Sequence, residues 1–173
     1  MEFGRIYFFT ATIHNWSPLL NEDSFKEIII SSLNFLKAKE LIRVYGFVIM
    51  PNHIHLIWEL LEMNGKESPH TSFLKFTGHQ FLKKLRKANL KILEEFKVDL
   101  VNKNHCFWQR DSLPIEVYSP KVIFQKLQYL HANPCRGKWM LANSPIDYVF
   151  SSFEFYETGR DQFGFLTHIG ERV

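Results

Sequence analysis

The chain has 173 residues, of which 46% are hydrophobic and 23% are charged, and its formal net charge at pH 7 is +3. This composition is typical of a globular protein with a sizeable core, and two cysteines are too few for a disulfide framework. The sequence shows no pattern of a signal peptide or a membrane span. We therefore expect one cytoplasmic domain, residues 1–173, without a membrane partner, in which residues 1–137 form the core and residues 138–173 a C-terminal extension.

The first part of the chain predicts a strand, a helix and two further strands. Ile6 to Ile13 is rich in β-branched and aromatic residues, which favours a strand. Ser24 and Glu27 have the spacing of a capping box, and apolar residues then recur at helical period. Arg43 to Met50 and His53 to Leu60 are apolar runs separated by a Pro-Asn turn, so they predict a β-hairpin.

The second part predicts a long helix, a strand and a final helix. The apolar stripe from Thr71 to Phe96 has helical period, and Asn102 to Ser112 is polar and irregular. Pro114 to Tyr118 is a short strand-like run. Ser119 is a suitable N-cap for a helix over Lys121 to Ala132.

The order β-α-β-β-α-β with a further helix matches the ferredoxin-like split βαβ. The predicted class is therefore α+β, with an RRM-like central antiparallel sheet and helices packed against it. An additional helix and an irregular, aromatic C-terminal tail follow this unit.

The hairpin carries two histidines on its second strand. Because side chains alternate along a strand, His53 and His55 share one face, whereas Ile54, Leu56 and Trp58 share the other. The second face is apolar and is predicted to pack on the core. The first face offers two nitrogen ligands to one metal ion, although a His-x-His pair alone is more often structural than ligating.

The final helix carries a tyrosine that its core stripe does not need. Tyr129 and Asn133 are four residues apart and point the same way if the helix persists, with Lys126 one turn earlier. An amide is a possible metal ligand, and the lysine a possible phosphate contact. Asn133 precedes a proline, which disfavours the α conformation at that residue.

Two segments, from Ser68 to Leu93 and from Val117 to Ile146, contain basic but no acidic residues. Together they predict a positive surface suited to phosphates, although each alone is more simply a solvated helix face. Aromatic residues near position 108 are candidates for base stacking, with a buried role as the alternative. The candidate DNA-contacting residues are Lys83, Lys84, Arg86, Lys87, Trp108, Arg110, Lys126 and Arg136.

Four runs of residues together resemble the HUH-type single-tyrosine transposases, most of all the REP-associated tyrosine transposase branch. They are Met50 to Leu56, Phe107 to Arg110, Tyr129 to Pro134, and Asp147 to Ser152. The order and spacing of the four runs carry this resemblance, which covers most of the chain.

The resemblance implies a role for each residue of the candidate site. His53 and His55 are the expected metal ligands and Tyr129 the expected nucleophile. Asn133 stands where insertion-sequence relatives often carry a metal-binding glutamine, and the REP-associated branch commonly has Asn-Pro at this point. The implied cofactor is Mg²⁺, for which Mn²⁺ is expected to substitute because imidazoles suit Mn²⁺. The implied partners are single-stranded DNA or DNA hairpins, bound by a monomer or a homodimer.

The chemistry expected from these residues is transesterification. A phenol with a pKa near 10 is a poor nucleophile at neutral pH, and a metal ion on the phosphate compensates for this weakness. Attack by Tyr129 would leave a 5′-phosphotyrosine and a free 3′-hydroxyl, which a later hydroxyl can rejoin. Two alternatives remain open: a non-catalytic nucleic-acid-binding module, and a metal-dependent phosphodiesterase that uses water.

Overall fold

The computed structural model describes residues 1–100, 103–110 and 112–173. Its strands are β1 (Ile6–Thr12), β2 (Ile42–Met50), β3 (His53–Leu60), β4 (Lys97–Leu100), β5 (Lys103–His105) and β6 (Leu113–Glu116). Its α-helices are α1 (Asp23–Ala38), α2 (Pro69–Ala88), α3 (Leu90–Glu94), α4 (Pro120–Ala132) and α5 (Phe153–Thr158). In these ranges no helix combines the length and the apolar character needed to cross a bilayer.

Four strands form one antiparallel sheet in the order β2-β3-β1-β6. This is the strand order of the ferredoxin-like split βαβ, so the predicted fold class is confirmed. The register between β1 and β3 places Thr10 opposite His55 and Thr12 opposite His53. Strand β1, from the start of the chain, therefore lies directly beside the two histidines.

Both faces of the sheet are packed over strands β1, β2 and β3, which corrects the expectation of a single apolar face. Helices α1 and α2 cover the face that includes Phe9 and Trp58. Helix α4 covers part of the opposite face, where Ile57 and Leu130 are buried together. The histidine face is thus also a packed surface, because the helix after β6 folds back over β2 and β3.

Two helix predictions are wrong at their boundaries. Helix α1 begins at Asp23, and the hydroxyl of Ser24 bonds to the carboxylate of Glu22, so the predicted capping box does not form. The predicted long helix is divided at Asn89, whose backbone is extended at φ −157°. The side chain of Asn89 accepts a hydrogen bond from the N–H of Ile92 at 3.1 Å, so it caps the short helix α3.

The segment before β6 contains a small hairpin that the sequence did not predict. Strands β4 and β5 pair with each other and form a separate two-stranded sheet. The irregular stretch predicted to begin at Asn102 starts outside the described residues, and the described part of it from residue 103 to 105 is strand β5. Short polar strands lack the alternating apolar pattern by which a sequence reveals a sheet.

The bounds of helix α4 agree with its sequence, but the backbone of the residue after it, Asn133, does not. The Ser119 hydroxyl accepts from the N–H of Val122 at 3.3 Å, and Pro120 is the first helical residue. Asn133 has φ −57° and ψ −43°, which is helical, and a 3₁₀ turn over Asn133–Cys135 follows. The expected effect of Pro134 on the backbone of Asn133 is therefore wrong, since the pre-proline preference is outweighed here.

The C-terminal tail packs along β2. The hydroxyl of Tyr148 donates to the carbonyl of Ile49 at 2.6 Å, and the hydroxyl of Tyr156 donates to the carbonyl of Tyr45 at 2.6 Å. The N–H of Ile49 in turn donates to the carbonyl of Phe150 at 3.0 Å. These bonds cover the free edge of the sheet on the β2 side.

Candidate active site

The two histidines of β3 lie side by side, with ring centroids 4.7 Å apart. They are on adjacent same-side positions of a strand that has a neighbour on each side, so the backbone holds them rigidly. His55 is buried and His53 is partly exposed. Strand β3 therefore holds the two imidazoles in fixed positions, and the pair reaches the protein surface at His53.

Each imidazole is held through its Nδ1 atom. His53 Nδ1 donates to Asn52 Oδ1 at 2.7 Å, while Asn52 Nδ2 donates to the carbonyl of Trp16 at 3.3 Å and so fixes that amide. His55 Nδ1 lies 2.8 Å from Thr10 Oγ1. In the tautomers with the proton on Nδ1, both Nε2 atoms are free for a ligand, which is how metal-binding histidines are commonly oriented.

Neither Asn52 nor Thr10 was recognised from the sequence. Asn52 adjoins the histidine pair, but in the sequence its Pro-Asn run indicates a turn and a part of the resemblance, not a partner for an imidazole. Thr10 is 45 residues from His55 and is brought to it by the strand register. Only the pairing of β1 with β3 reveals its role.

Burial keeps both imidazoles neutral. It lowers the pKa of His53 to about 4. Burial also lowers the pKa of His55 to about 3, with smaller effects in the same direction from the positive charges of His53 and Lys126. At pH 7 both rings are therefore in the unprotonated form that metal coordination requires.

Helix α4 places Tyr129 beside this pair. The ring centroid of Tyr129 is 5.6 Å from that of His55, and the side chain is 48% exposed. Phe8 of β1 connects the two, since its ring stacks on His55 at 5.0 Å and meets the Tyr129 ring edge-on at 6.0 Å. Lys126 Nζ lies 4.8 Å from the Phe8 ring centroid. One chain therefore brings the two histidines, the tyrosine and a lysine into a single cluster.

A glycine in β2 allows α4 to lie this close to the sheet. A Cβ atom on Gly46 would be 2.7 Å from Leu127 Cδ1 and 3.5 Å from Leu130 Cδ2. Gly46 also follows an irregularity in the pairing of β2 with β3. Because Tyr129 lies between these two leucines along α4, the absence of a side chain at position 46 contributes to its placement.

The donor set fits a divalent metal ion with open coordination positions. His53 and His55 are neutral and use their Nδ1 atoms for hydrogen bonds, so in the tautomers with the proton on Nδ1 their Nε2 atoms would be available to a metal ion. Asn133 makes no hydrogen bond to either histidine, and its Nδ2 atom is buried without a partner among the described residues. No cluster of three or more His, Cys, Asp or Glu side chains occurs in the described ranges, so a third protein ligand would have to be of another type.

The basic residues of α2 lie in a different layer from this cluster. Helix α2 packs on the face opposite α4, so Lys83, Lys84, Arg86 and Lys87 are separated from Tyr129 by the sheet. Lys84 Nζ is also 3.9 Å from a carboxylate oxygen of Glu22. A single DNA strand whose phosphates contact both groups would require them to share one surface. The structure instead places these four residues on the opposite side of the sheet from the histidines and Tyr129.

Trp108 is buried, which contradicts its predicted role as an exposed stacking surface. Its Nε1 donates to Thr77 Oγ1 at 2.9 Å, and its ring packs on Phe81 with a centroid distance of 5.8 Å. The backbone next to it continues the pairing with β1, since the N–H of Gln109 donates to the carbonyl of Thr12 at 2.8 Å. This pairing turns the indole toward α2 and into the core.

The two predicted arginines not yet described, Arg110 and Arg136, lie far from each other in the sequence and on different parts of the structure. Arg110 and Arg86 line a cleft of about 520 Å³ between α2 and residues 104–110, which does not include the histidine pair. Arg136 is exposed just beyond α4, and its N–H donates to the carbonyl of Asn133 at 3.2 Å. Of the eight predicted DNA contacts, Lys126 is the one packed against the aromatic cluster of the site.

Comparison with solved structures identifies the architecture. A structure described as a REP-associated tyrosine transposase bound to a REP hairpin matches with a TM-score of 0.63. The match covers 97% of this chain and 88% of that chain. This chain has the fold of a tyrosine transposase. The sequence identity is 20%, and no family model and no curated protein matches the sequence. The transposase fold predicted from four short runs of residues is thus confirmed at the level of structure.

Proposed function

We propose that this chain is a metal-dependent, transposase-like enzyme that nicks and rejoins single-stranded DNA at hairpins through Tyr129. The proposal is carried by one observation: Tyr129 lies beside His55, with ring centroids 5.6 Å apart, in a chain with a tyrosine transposase fold. The neighbour with this fold is bound to a REP hairpin, so hairpin DNA is the proposed substrate.

The proposed reaction exchanges one phosphodiester bond for another. The Tyr129 oxygen bonds to phosphorus as the bond from phosphorus to the 3′ oxygen breaks, and the phenol proton passes overall to that oxygen. The products are a 5′-phosphotyrosine and a free 3′-hydroxyl. Because the phosphodiester is retained, an incoming 3′-hydroxyl reverses the step without a nucleotide cofactor.

The residues around Tyr129 have distinct proposed roles. Phe8 holds the rings of His55 and Tyr129 in contact, and Lys126 supplies a cation for the phosphate. His53 and His55 would hold Mg²⁺ or Mn²⁺, with Asn133 as the proposed third ligand. Such an ion, when bound, would polarise a phosphoryl oxygen and stabilise the negative charge that develops there.

The test is the formation of a protein-DNA adduct that resists denaturation. The chain is incubated with a labelled DNA hairpin that has single-stranded flanks and with Mn²⁺ or Mg²⁺, and the products are separated on a denaturing gel. We expect an adduct that Tyr129→Phe abolishes. Tyr118→Phe, at a tyrosine that is 87% exposed, is the matched control and should retain it.

The two alternative functions give other results in the same assay. A binding module would retain the hairpin without cleaving it and without dependence on metal. A phosphodiesterase that uses water would cleave without an adduct, and its cleavage would survive Tyr129→Phe. Either outcome with the parent chain would refute the tyrosine mechanism.

Because one chain contains the whole cluster, we propose that Tyr129 acts with the histidines of its own subunit. A mixture of Tyr129→Phe with a His53→Ala/His55→Ala variant should then stay inactive. Exchange of tyrosine helices between subunits would restore about a quarter to a half of the adduct, since mixed dimers would contain one intact site. Restored activity would therefore refute action within one subunit.

A further inference from the structure

The edge strand β6 exposes two aliphatic side chains on the histidine face of the sheet. The register places Leu113 opposite Thr10 and Ile115 opposite Phe8. Residues directly opposite in a strand pair point to the same face, and Thr10 and Phe8 both contact His55. Leu113 is 59% exposed and Ile115 is 41% exposed. We call these two residues the β6 shelf.

The β6 shelf is continuous with the candidate active site. Helix α4 packs over β2 and β3, which leaves the histidine face open on the β6 side. Phe8 lies between the shelf and Tyr129, and Lys126 Nζ is above the Phe8 ring. Going outward from the histidines, the surface therefore presents a tyrosine, a cation and then an aliphatic area.

The edge itself is unsuited to pairing with another strand. Strand β6 has Pro114 at its centre, and proline lacks the N–H that a further strand would need. Proline on an edge strand is a common means of preventing edge-to-edge association. A second copy added to the sheet at β6 is thus disfavoured, whereas a ligand lying across the face of the strand is not.

We propose that the β6 shelf holds a nucleobase that flanks a phosphate of single-stranded DNA bound beside Lys126 and Tyr129. This inference rests on the proposed function only in taking single-stranded DNA as the ligand. Two strand spacings, about 10 Å, separate β3 from β6, which is within reach of a nucleotide next to that phosphate. The charge pattern fits this ligand, since Lys126 can meet a phosphate while Leu113 and Ile115 pack on an apolar base face.

The test separates contacts to bases from contacts to phosphates. Two fluorescent oligonucleotides are compared by anisotropy in EDTA: a dodecamer of thymidine, and a dodecamer of abasic nucleotides with the same phosphates. The test variant is Leu113→Ser/Ile115→Thr. The matched control is Phe35→Ser, at a residue of α1 that is 54% exposed on the opposite layer. Circular dichroism checks that each variant is folded.

We expect the double variant to bind the thymidine dodecamer about fivefold more weakly, as for the loss of one base contact, and to bind the abasic dodecamer like the parent. The control should bind both like the parent. Three outcomes would refute the proposed contact between the β6 shelf and a base. They are unchanged binding of the thymidine dodecamer by the double variant, an equal loss of affinity for both probes, and no binding by the parent. The measurement requires neither metal nor Tyr129, so a parent that shows the expected pattern but forms no adduct would refute the proposed enzyme while supporting the shelf.

Discussion

A buried histidine on α4 should make the protein lose stability as the pH falls below 6.5. His131 is buried, and its Nε2 lies 2.9 Å from the hydroxyl of Ser152. Its ring also meets the ring of Phe153 edge-on, with a centroid distance of 5.3 Å. Burial lowers the pKa of His131 to about 4, against about 6.5 in an unfolded chain.

The direction of this pH effect on stability follows from how many protons the native and the unfolded states bind. Between pH 6.5 and pH 4 the unfolded chain holds a proton on residue 131 that the native chain does not, so acid favours unfolding in this range. The free energy of unfolding lost through His131 is about 2 kcal/mol between pH 7 and pH 5. The total loss relative to neutral pH approaches about 3 kcal/mol near pH 4. Below pH 4 the native ring is protonated as well, and this contribution stops growing.

Urea unfolding of the parent and of His131→Gln at pH 7 and pH 5 measures this contribution. The glutamine amide can still reach Ser152 but does not titrate, so the drop between the two pH values should be about 2 kcal/mol smaller in the variant. His53 and His55 are present in both proteins and cancel in the comparison. Ser152→Ala is the control, because it keeps the titrating ring and should keep the parent's drop. Equal drops in parent and His131→Gln would refute the assignment of this pH dependence to residue 131.

Three further substitutions test other parts of the structure. Thr10→Val removes the partner of an imidazole Nδ1 and should weaken Mn²⁺ binding about tenfold or more by calorimetry, whereas Thr12→Val should not; equal affinities would contradict the proposed orientation of the ring. Gly46→Ala places a methyl group against α4 and should lower the free energy of unfolding by about 1–3 kcal/mol in urea; a stabilised variant would show that this helix can move away freely. Trp108→Phe loses the hydrogen bond to Thr77 and should cost about 1–2 kcal/mol of stability while DNA affinity by anisotropy is unchanged. A weaker affinity for DNA without loss of stability would instead support the prediction that Trp108 contacts DNA.

Local patterns in the sequence were sufficient for most of the secondary structure. The hairpin of β2 and β3 follows from two apolar runs around a turn, and strand periodicity alone places His53 and His55 on one face. The start of α4 follows from Ser119 and the proline after it, since capping involves neighbouring residues only. The order of these elements, together with the resemblance, also predicted the sheet that the structure has.

Only some of the residues of the candidate site can be predicted from local sequence patterns. The histidines and Tyr129 carry recognisable chemistry, so they were found. Thr10 and Phe8 look like ordinary strand residues, and their contacts with His55 depend on the register of β1 against β3. The exposure of the β6 shelf depends likewise on which strands α4 covers.

Tertiary packing also decided where the predicted DNA contacts lie. The sequence determined that α2 is basic and that residue 108 is aromatic, but neither property states which side of the sheet a side chain reaches. Trp108 is buried because the pairing of its backbone with the β1 end of the sheet turns the indole toward α2, where it bonds to Thr77, 31 residues earlier. Helix α2 lies opposite α4 because both connecting helices of the split βαβ pack on one face. Periodicity and caps depend on residues within one or two turns, whereas layer and register arise from contacts between distant segments, so only the folded chain fixes them.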